Sequence, residues 1–319
     1  MKFILKNTPI LTMTHLFKIL LLGLILSPLS CASIEKDTAV SLAIDPTLKQ
    51  TAFSTPEEAA DAFVLAVENK NTANLNAILG ENYKTVLPVD NLSNEDIVHF
   101  LSAWKSQHKL IAQGQDKKMI QVGKNNWTFP IPIVSGSTGW YFDIAEGLER
   151  MRIRRIGRNE LNVMQAVLAY YDAQMEYFET DHNADGILEY AQKFISSAEK
   201  HDGLYWKAQA DENLSPLGPL FADREIQQGY HGYFYKILNA QGDDAHGGIT
   251  PYLVDGKMTK GFALIAWPEE YAETGIMTFI VNHSGIIYEQ NLGEKTKLEV
   301  EKITTYNPSA SWVPSKETH

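Results

Sequence analysis

The hydrophobic and polar positions in the first half of the chain predict three helices followed by an antiparallel sheet. Apolar residues recur every three or four positions in the segments 54–71, 72–81 and 93–107. Ser54 or Thr55 can cap the first of these helices, and Pro56 suits its first turn. Strand patterns then follow at residues 118–123, 126–134 and 139–145. This order predicts an α+β domain over residues 53–149, in which a curled sheet packs against the helices.

The second half predicts a long helix packed on an antiparallel β-meander. The helix spans residues 159–180, and its apolar seam is expected to comprise Leu161, Met164, Leu168, Tyr171, Met175 and Phe178. A second helix is predicted at residues 188–200. Strands follow at residues 230–240, 261–268, 275–282 and 286–292, the last two joined by a tight turn at 282–285. These elements predict a second α+β domain over residues 159–312, with 313–319 as a tail.

The N-terminal segment 1–31 has the pattern of a secretion signal. Its apolar run at 19–26 is too short to span a bilayer, and the run ends near Cys31, the chain's one cysteine. This resembles a bacterial lipoprotein signal, in which the cysteine is lipidated and becomes the new N-terminus. The alternative is a soluble exported protein cleaved after Ala32. The lipoprotein interpretation is favoured, because a lone thiol at this position has no other evident purpose. Residues 32–52 show no period and predict a tether.

Charge and cysteine content limit the partners of the protein. The net charge is −11, so an interaction with the phosphate backbone of nucleic acid is not expected. Contact with a membrane is expected only through the lipid anchor. The interpretation therefore places the protein in the periplasm, anchored to the outer membrane, with an envelope protein or polymer as its partner. No disulfide is expected in the folded part, because Cys31 is the single cysteine.

Five arginines are crowded into residues 150–158, which predict a joint between the two domains. They are Arg150, Arg152, Arg154, Arg155 and Arg158. One interpretation is a site for an anion or an acidic carbohydrate. The favoured one is an interdomain clamp paired with carboxylates such as Asp143, Glu146 and Glu149, because the guanidinium fork suits partly buried ion pairs.

The strongest chemical pattern is the acidic loop that follows the long helix. Its residues match the first, third, fifth and sixth positions of a calcium loop, and they are Asp181, Asn183, Asp185 and Gly186. The twelfth position is the neutral Gln192, whereas the ninth is Glu189. The loop therefore resembles shorter calcium loops, in which the backbone carbonyl of Ile187 and the carboxylate of Glu189 complete the protein ligands.

Two interpretations of this loop stay open: a calcium site, which is favoured, and an acidic turn without metal. If calcium binds, it is expected to be structural, because one short loop supplies all the side-chain ligands. Leu188 is expected to point into the core and anchor the loop. The sequence shows no Gly-rich phosphate loop, His-Glu-x-x-His pair or Gly-x-Ser-x-Gly elbow, so no catalytic residue is assigned.

Longer stretches of the chain resemble known families. The stretch "TPEEAADAFVLAVENKNTANLNAILG" with the later "GWYFD" resembles nuclear-transport-factor-2-like (NTF2-like) domains over residues 53–145. The stretches "NELNVMQAVLAYYDAQMEYF", "DHNADGILEYA" and "GFALIAWPEEYAETGIMTFIVNHSGIIYEQNLG" resemble the soluble part of type IV pilins and pseudopilins. Filament assembly is not expected, because the long helix starts mid-chain and is not an N-terminal apolar assembly helix.

The motifs "RRIGRNEL", "DGLYW", "SPLGPL" and "ALIAWPEEY" resemble a bacterial family of uncharacterised exported proteins, domain of unknown function 2950 (DUF2950), over residues 53–312. The resemblance implies export but brings no established activity. The predicted function is a non-enzymatic cell-envelope module for binding or assembly, with a structural calcium loop. The alternative is an envelope hydrolase or carbohydrate-active enzyme that uses a cleft between the domains.

Overall fold

The computed structural model describes residues 50–80, 83, 94–208, 214–218 and 229–315; the signal segment, Cys31 and most of the tether lie outside these ranges. The described chain contains both helices and antiparallel sheets, which confirms the α+β class. It divides into two compact units, Met1–Met151 and Arg152–His319. No described helix is both long enough and apolar enough to cross a bilayer.

The first unit begins with the predicted helices. They are α1 (Pro56–Glu68), α2 (Thr72–Leu79) and α3 (Asn94–Ser106). Thr55 caps α1, because its side chain accepts a hydrogen bond from the backbone N–H of Glu58 at 3.1 Å. The carboxylate of Glu58 in turn accepts the N–H of Ser54 at 3.1 Å. This reciprocal capping box satisfies backbone donors that a helix N-terminus otherwise leaves unpaired.

An antiparallel sheet follows in the first unit. Its strands are β1 (His108–Ala112), β2 (Lys117–Val122), β3 (Trp127–Thr128), β4 (Ile133–Gly136) and β5 (Gly139–Phe142). They pair in the order β1-β2-β4-β5, and β3 pairs with β2 beside this path. Aromatic rings fill the space between the sheet and the helices: the ring centroid of Phe63 lies 4.8 Å from that of Phe129 and 5.4 Å from that of Phe142.

The long helix, α4 (Ile144–Tyr177), begins earlier than the sequence predicts. Its start is set by Asp143, whose carboxylate accepts the backbone N–H of Glu146 at 2.9 Å and so caps the first turn. The arginine-rich segment 150–158 is therefore helical, and the boundary between the two units falls after Met151, within this helix.

The buried face of α4 differs from the predicted seam. Leu161 and Met175 are 43% and 41% exposed, so the prediction that both lie in the core is wrong. The residues of this helix that are buried in the core of the second unit are Val163, Met164, Ala166, Val167, Tyr170, Ala173 and Tyr177. Gln174 lies on the same face and is fully buried.

The second unit contains the predicted meander. Its strands β6 (Tyr233–Leu238), β11 (Ala263–Pro268), β12 (Met277–Asn282), β13 (Tyr288–Asn291) and β14 (Val313–Pro314) pair antiparallel in that order. Shorter strands form two further pairs, β7 (Ala240–Gln241) with β8 (Thr250–Pro251) and β9 (Leu253–Val254) with β10 (Lys257–Met258). A 3₁₀ turn (Gly293–Lys295) and helix α5 (Thr296–Lys302) follow β13.

The helix predicted at residues 188–200 does not form. The backbone N–H of Tyr190 donates to the carbonyl of Met258 at 2.8 Å, and the N–H of Ser196 donates to the carbonyl of Tyr205 at 2.8 Å. These long-range bonds replace the bonds of a helix. The segment is therefore an irregular connection, hydrogen-bonded to Met258 of β10 and to Tyr205, which follows it in the chain.

Candidate functional site

The loop 181–189 follows α4 and closes around the side chain of Asp181. The Asp181 carboxylate accepts the backbone N–H groups of Asn183 at 3.3 Å, of Asp185 at 3.3 Å and of Gly186 at 2.7 Å. These bonds, that of Gly186 foremost, lower the pKa of Asp181, whose charge is needed to accept them. The loop turns sharply because Ala184 and Gly186 have φ angles of 57° and 85°.

The other predicted ligands gather on the same loop. Asn183 accepts the N–H of Asp185 through its side-chain oxygen at 3.1 Å, and it donates its amide N–H to Glu189 at 3.0 Å. Ile187 donates its backbone N–H to Asp185 at 3.0 Å. The structure thus brings the first, third, fifth and ninth positions of the loop within one network of hydrogen bonds.

Lys257 is the residue of this site that the sequence did not indicate. Its ammonium group contacts the carboxylate of Asp185 from strand β10. This contact is the largest cause that lowers the pKa of Asp185. No sequence pattern links two residues so far apart in the chain, so only the fold could show that a lysine faces the acidic loop.

The donor chemistry of the loop fits calcium, whereas its geometry needs two changes. The available donors are carboxylate, amide and carbonyl oxygens, which calcium prefers. Among the described residues, no group of three or more His, Cys, Asp or Glu side chains is placed to hold a metal ion. A calcium ion would have to displace Lys257 from Asp185 and draw the carboxylates of Asp181, Asp185 and Glu189 together.

The exit of the loop is tied to the second unit. The buried side chain of Gln174 donates to the carbonyl of Ala191 at 2.8 Å and accepts the N–H of Ala191 at 2.9 Å. Gln192 donates its side-chain amide to the carbonyl of Gly256 at 2.8 Å. Leu188 is 42% exposed, so the prediction that it anchors the loop in the core is wrong. A buried glutamine supplies that anchor instead.

Aromatic and histidine rings pack beside the loop. His182 stacks on Tyr177 with ring centroids 4.0 Å apart, and His201 stacks on Trp206 at 4.4 Å. Burial lowers the pKa of His182. Tyr177 donates its hydroxyl to the carbonyl of His201 at 2.7 Å, which closes the segment back onto the end of α4. No local sequence pattern marks this cluster, because its members are spread over thirty positions.

The arginines of residues 150–158 have different partners. Arg150 pairs with Glu146 at 2.7 Å, one turn earlier on the same helix. Arg152 donates to the carbonyl of Ala272. Arg155 donates to the carbonyl of Glu273 at 3.0 Å and pairs with its carboxylate at 2.6 Å.

The remaining two arginines, Arg154 and Arg158, also make interactions, and burial lowers the pKa of Arg158. The interdomain clamp stays a prediction. The contacts of Arg152 and Arg155 with the loop 270–277 lie within the second unit.

The next turn of α4 holds the same loop through its backbone. Asn159 donates its side-chain amide to the carbonyl of Thr274 at 2.8 Å. Glu160 accepts the N–H groups of Ile276 at 2.8 Å and Met277 at 3.0 Å through one carboxylate oxygen. One face of α4 therefore binds successive backbone groups of the loop that leads into β12.

The hydroxyl of Ser197 lies between a lysine and a carboxylate that also pair with each other. This hydroxyl is 2.8 Å from the ammonium of Lys193 and 3.0 Å from the carboxylate of Asp202. Lys193 and Asp202 also pair directly at 2.7 Å. These three side chains together close the turn between residues 197 and 202.

The Asp202 contacts predict a loss of stability in acid. Burial opposes ionisation, but hydrogen bonds from Lys193 and Ser197 outweigh it and lower the pKa of Asp202 to about 2. A depressed carboxyl pKa contributes stability above its unfolded value, and this contribution is lost as the pH falls from about 4 to about 2. The melting temperature should therefore fall over this window by less in Asp202→Asn than in the wild type. Equal falls in both proteins would contradict the pairing.

Comparison with known proteins shows the family of this chain. A family model described as "Protein of unknown function (DUF2950)" matches residues 50–314, which span both units. No curated protein and no solved structure matches the chain.

Proposed function

We propose that this chain, which belongs to the DUF2950 family, is an exported, lipid-anchored protein of the bacterial cell envelope. It binds or helps to assemble envelope components and does not catalyse a reaction. A calcium ion in the loop 181–189 stabilises its second unit. The observation that supports the calcium site best is the gathering of Asp181, Asn183, Asp185 and Glu189 in one hydrogen-bonded loop.

The proposed architecture is NTF2-like in the first unit and pilin-like in the second. Support for the first comes from the order of three helices and a following antiparallel sheet. Support for the second comes from a long helix whose buried face packs in one core with an antiparallel meander. Because aromatic rings occupy the interior of the first unit, we assign it a scaffold role rather than a ligand pocket.

Cys31 is proposed to carry the lipid anchor. It is the single cysteine of the chain and closes the apolar run of the signal. In bacterial cells that express the protein, metabolic labelling with a palmitate analogue should mark the wild type and leave Cys31→Ser unlabelled. Fractionation should place the labelled protein with the outer membrane. Equal labelling of both proteins, or of neither, would contradict the anchor.

Calcium is proposed to replace the ammonium group of Lys257 as the cation beside Asp185. Asp181 and Asp185 carry negative charge on the same loop, and the ammonium of Lys257 now balances that of Asp185. A divalent ion at this position would satisfy Asp181, Asp185 and Glu189 together and release Lys257 to solvent. Weak sites of this kind suffice outside the cell, where calcium reaches millimolar concentration.

The metal is proposed to be structural because a single short loop would hold it. One loop supplies the side-chain ligands, so protein and water would fill most of the coordination shell. When bound, the ion would supply positive charge that offsets the repulsion between the carboxylates. By mass action, the free energy of unfolding should rise by about 3 kcal/mol when the calcium concentration exceeds the dissociation constant a hundredfold.

Thermal melts of the full chain test the calcium proposal. Calcium should raise the melting temperature relative to a chelator, and magnesium should raise it much less, because it demands octahedral geometry and gives up water reluctantly. Asp185→Ala should remain folded and lose the calcium response. If the wild type melts at one temperature in calcium, magnesium and chelator, the loop is an acidic turn without metal.

A further inference from the structure

A cavity of about 250 Å³ lies in the second unit beside the end of α5. Its apolar part is formed by Ile280 of β12 and Ile303, and its other part by Trp312 and the threonines Thr304 and Thr305. Pockets for drug-sized ligands occupy roughly 300–1,000 Å³. This cavity therefore has room for a single small ring and not for an extended chain.

Several polar groups at this cavity have no hydrogen-bond partner among the residues that the structure describes. Across the described part of the chain, no hydrogen bond forms to the hydroxyl of Thr304, the hydroxyl of Thr305 or the indole N–H of Trp312. Trp312 is partly buried against the core of the second unit, so its position is fixed by packing. Two hydroxyls and one N–H are thus available to a ligand beside an apolar wall.

The charged side chain that lines the cavity already has a partner. Lys302 lines the cavity, but its ammonium pairs with both carboxylate oxygens of Glu299 at 2.8 and 3.0 Å. The side-chain amide of Asn307 is likewise engaged with the carboxylate of Asp244 at 2.8 Å. A ligand with a negative charge would have to compete with Glu299 for Lys302, so the cavity favours a neutral ligand.

We propose that this cavity binds one neutral sugar ring, such as the terminal unit of an envelope glycan. A sugar ring has an apolar face that can lie against Trp312 or the isoleucines, and a rim of hydroxyls that can bond to Thr304 and Thr305. The inference deepens the proposed binding role and rests on it only for the source of the sugar. Binding of a free monosaccharide does not depend on export or on calcium.

Indole N–H signals provide a direct test. The chain has six tryptophans, so the full-length protein labelled with ¹⁵N at its indoles should give six signals, and Trp312→Phe identifies the signal of Trp312. Titration with glucose, galactose and N-acetylglucosamine should shift that signal. For at least one sugar, the shift should saturate with a roughly millimolar dissociation constant. Glucuronate should bind no better than glucose.

A double variant separates a binding role from a structural one. Thr304→Val with Thr305→Val keeps the side-chain shape and should weaken sugar binding about tenfold or more without changing the melting temperature. Thr72→Val in the first unit is the matched control and should leave binding unchanged. An oligosaccharide ending in the preferred sugar should bind at least as well as the free sugar if the source is a glycan end.

Three results would overturn the proposal: no saturable shift of the Trp312 signal up to roughly 100 mM sugar, an equal shift in the double valine variant, or tighter binding of glucuronate than of glucose. Thermal melts with calcium on the same samples keep this test separate from the calcium proposal. Loss of sugar binding with an intact calcium response would reject this inference alone.

Discussion

Replacing Gln174 by leucine is expected to destabilise the second unit by about 4 kcal/mol, although leucine matches the glutamine in size. Gln174 is fully buried and binds both the N–H and the carbonyl of Ala191, which is itself buried. Leucine would leave both backbone groups without a partner away from water, at a cost of about 1–3 kcal/mol each. The hydroxyl of Tyr170 would also lose the N–H that Gln174 donates at 3.0 Å.

Denaturant unfolding followed by tryptophan fluorescence measures this loss. Gln165→Leu is the matched control, because Gln165 is exposed on the same helix and the same substitution there should change stability by less than about 0.5 kcal/mol. The loop 181–189, which is proposed to bind calcium, lies shortly before Ala191, so Gln174→Leu should also weaken any calcium response. Equal stability of the Gln174 and Gln165 variants would contradict the anchoring role.

Replacing Glu160 by alanine is expected to cost about 3 kcal/mol. One carboxylate oxygen of Glu160 accepts the N–H groups of Ile276 and Met277, where the chain enters β12. Removal of the carboxylate leaves two partly buried donors without their acceptor, and charge-assisted hydrogen bonds are stronger than neutral ones. The neighbouring ion pair of Arg155 with Glu273 is exposed on both sides and contributes far less.

Glu176→Ala is the control for this prediction, because Glu176 is an exposed glutamate on the same helix. Glu160→Gln keeps an acceptor oxygen and should recover part of the loss. Urea unfolding of the three variants gives the comparison. A loss in Glu160→Ala no larger than in Glu176→Ala would show that the loop 270–277 does not depend on the helix.

Several strands could be predicted from the sequence, since their signals are local. Strands β1, β8, β9 and β10 were not predicted, and the strand predicted at 126–134 forms two separate strands, β3 and β4. The runs at 261–268 and 275–282 form β11 and β12, and the backbone N–H of Gly285 donates to the carbonyl of Asn282 at 2.9 Å in the predicted turn. Both strands are almost wholly buried, so a continuous apolar run marks them.

The helices were harder to predict, because tertiary contacts decide their limits and faces. The sequence pattern predicts a joint between two domains at residues 150–158. Arginine is, however, a good helix former, and the cap at Asp143 starts the helix before this segment. The apolar pattern also favoured Leu161 and Met175 as core residues. The core uses Tyr170, Gln174 and Tyr177 instead, since their polar groups find partners inside.

The acidic loop could be predicted as a unit, but its cation partner could not. Asp181, Asn183 and Asp185 are close in the chain, and the fold needs only local turns to bring them together. Lys257 reaches Asp185 because the backbone of Tyr190 pairs with that of Met258, which depends on the tertiary fold. No local pattern in the sequence contains that information.

Titration calorimetry of the full chain and of Lys257→Gln measures directly whether the loop 181–189 binds calcium. If calcium binds there, Lys257 competes with it for Asp185. Removal of the lysine charge should then tighten calcium binding by about tenfold, and Asp185→Ala should abolish it. Each protein is measured at the same ionic strength, because salt screens exposed charges. If neither the wild type nor Lys257→Gln binds calcium, and Lys257→Gln is merely less stable, the lysine is the permanent partner of the loop and the calcium proposal is wrong.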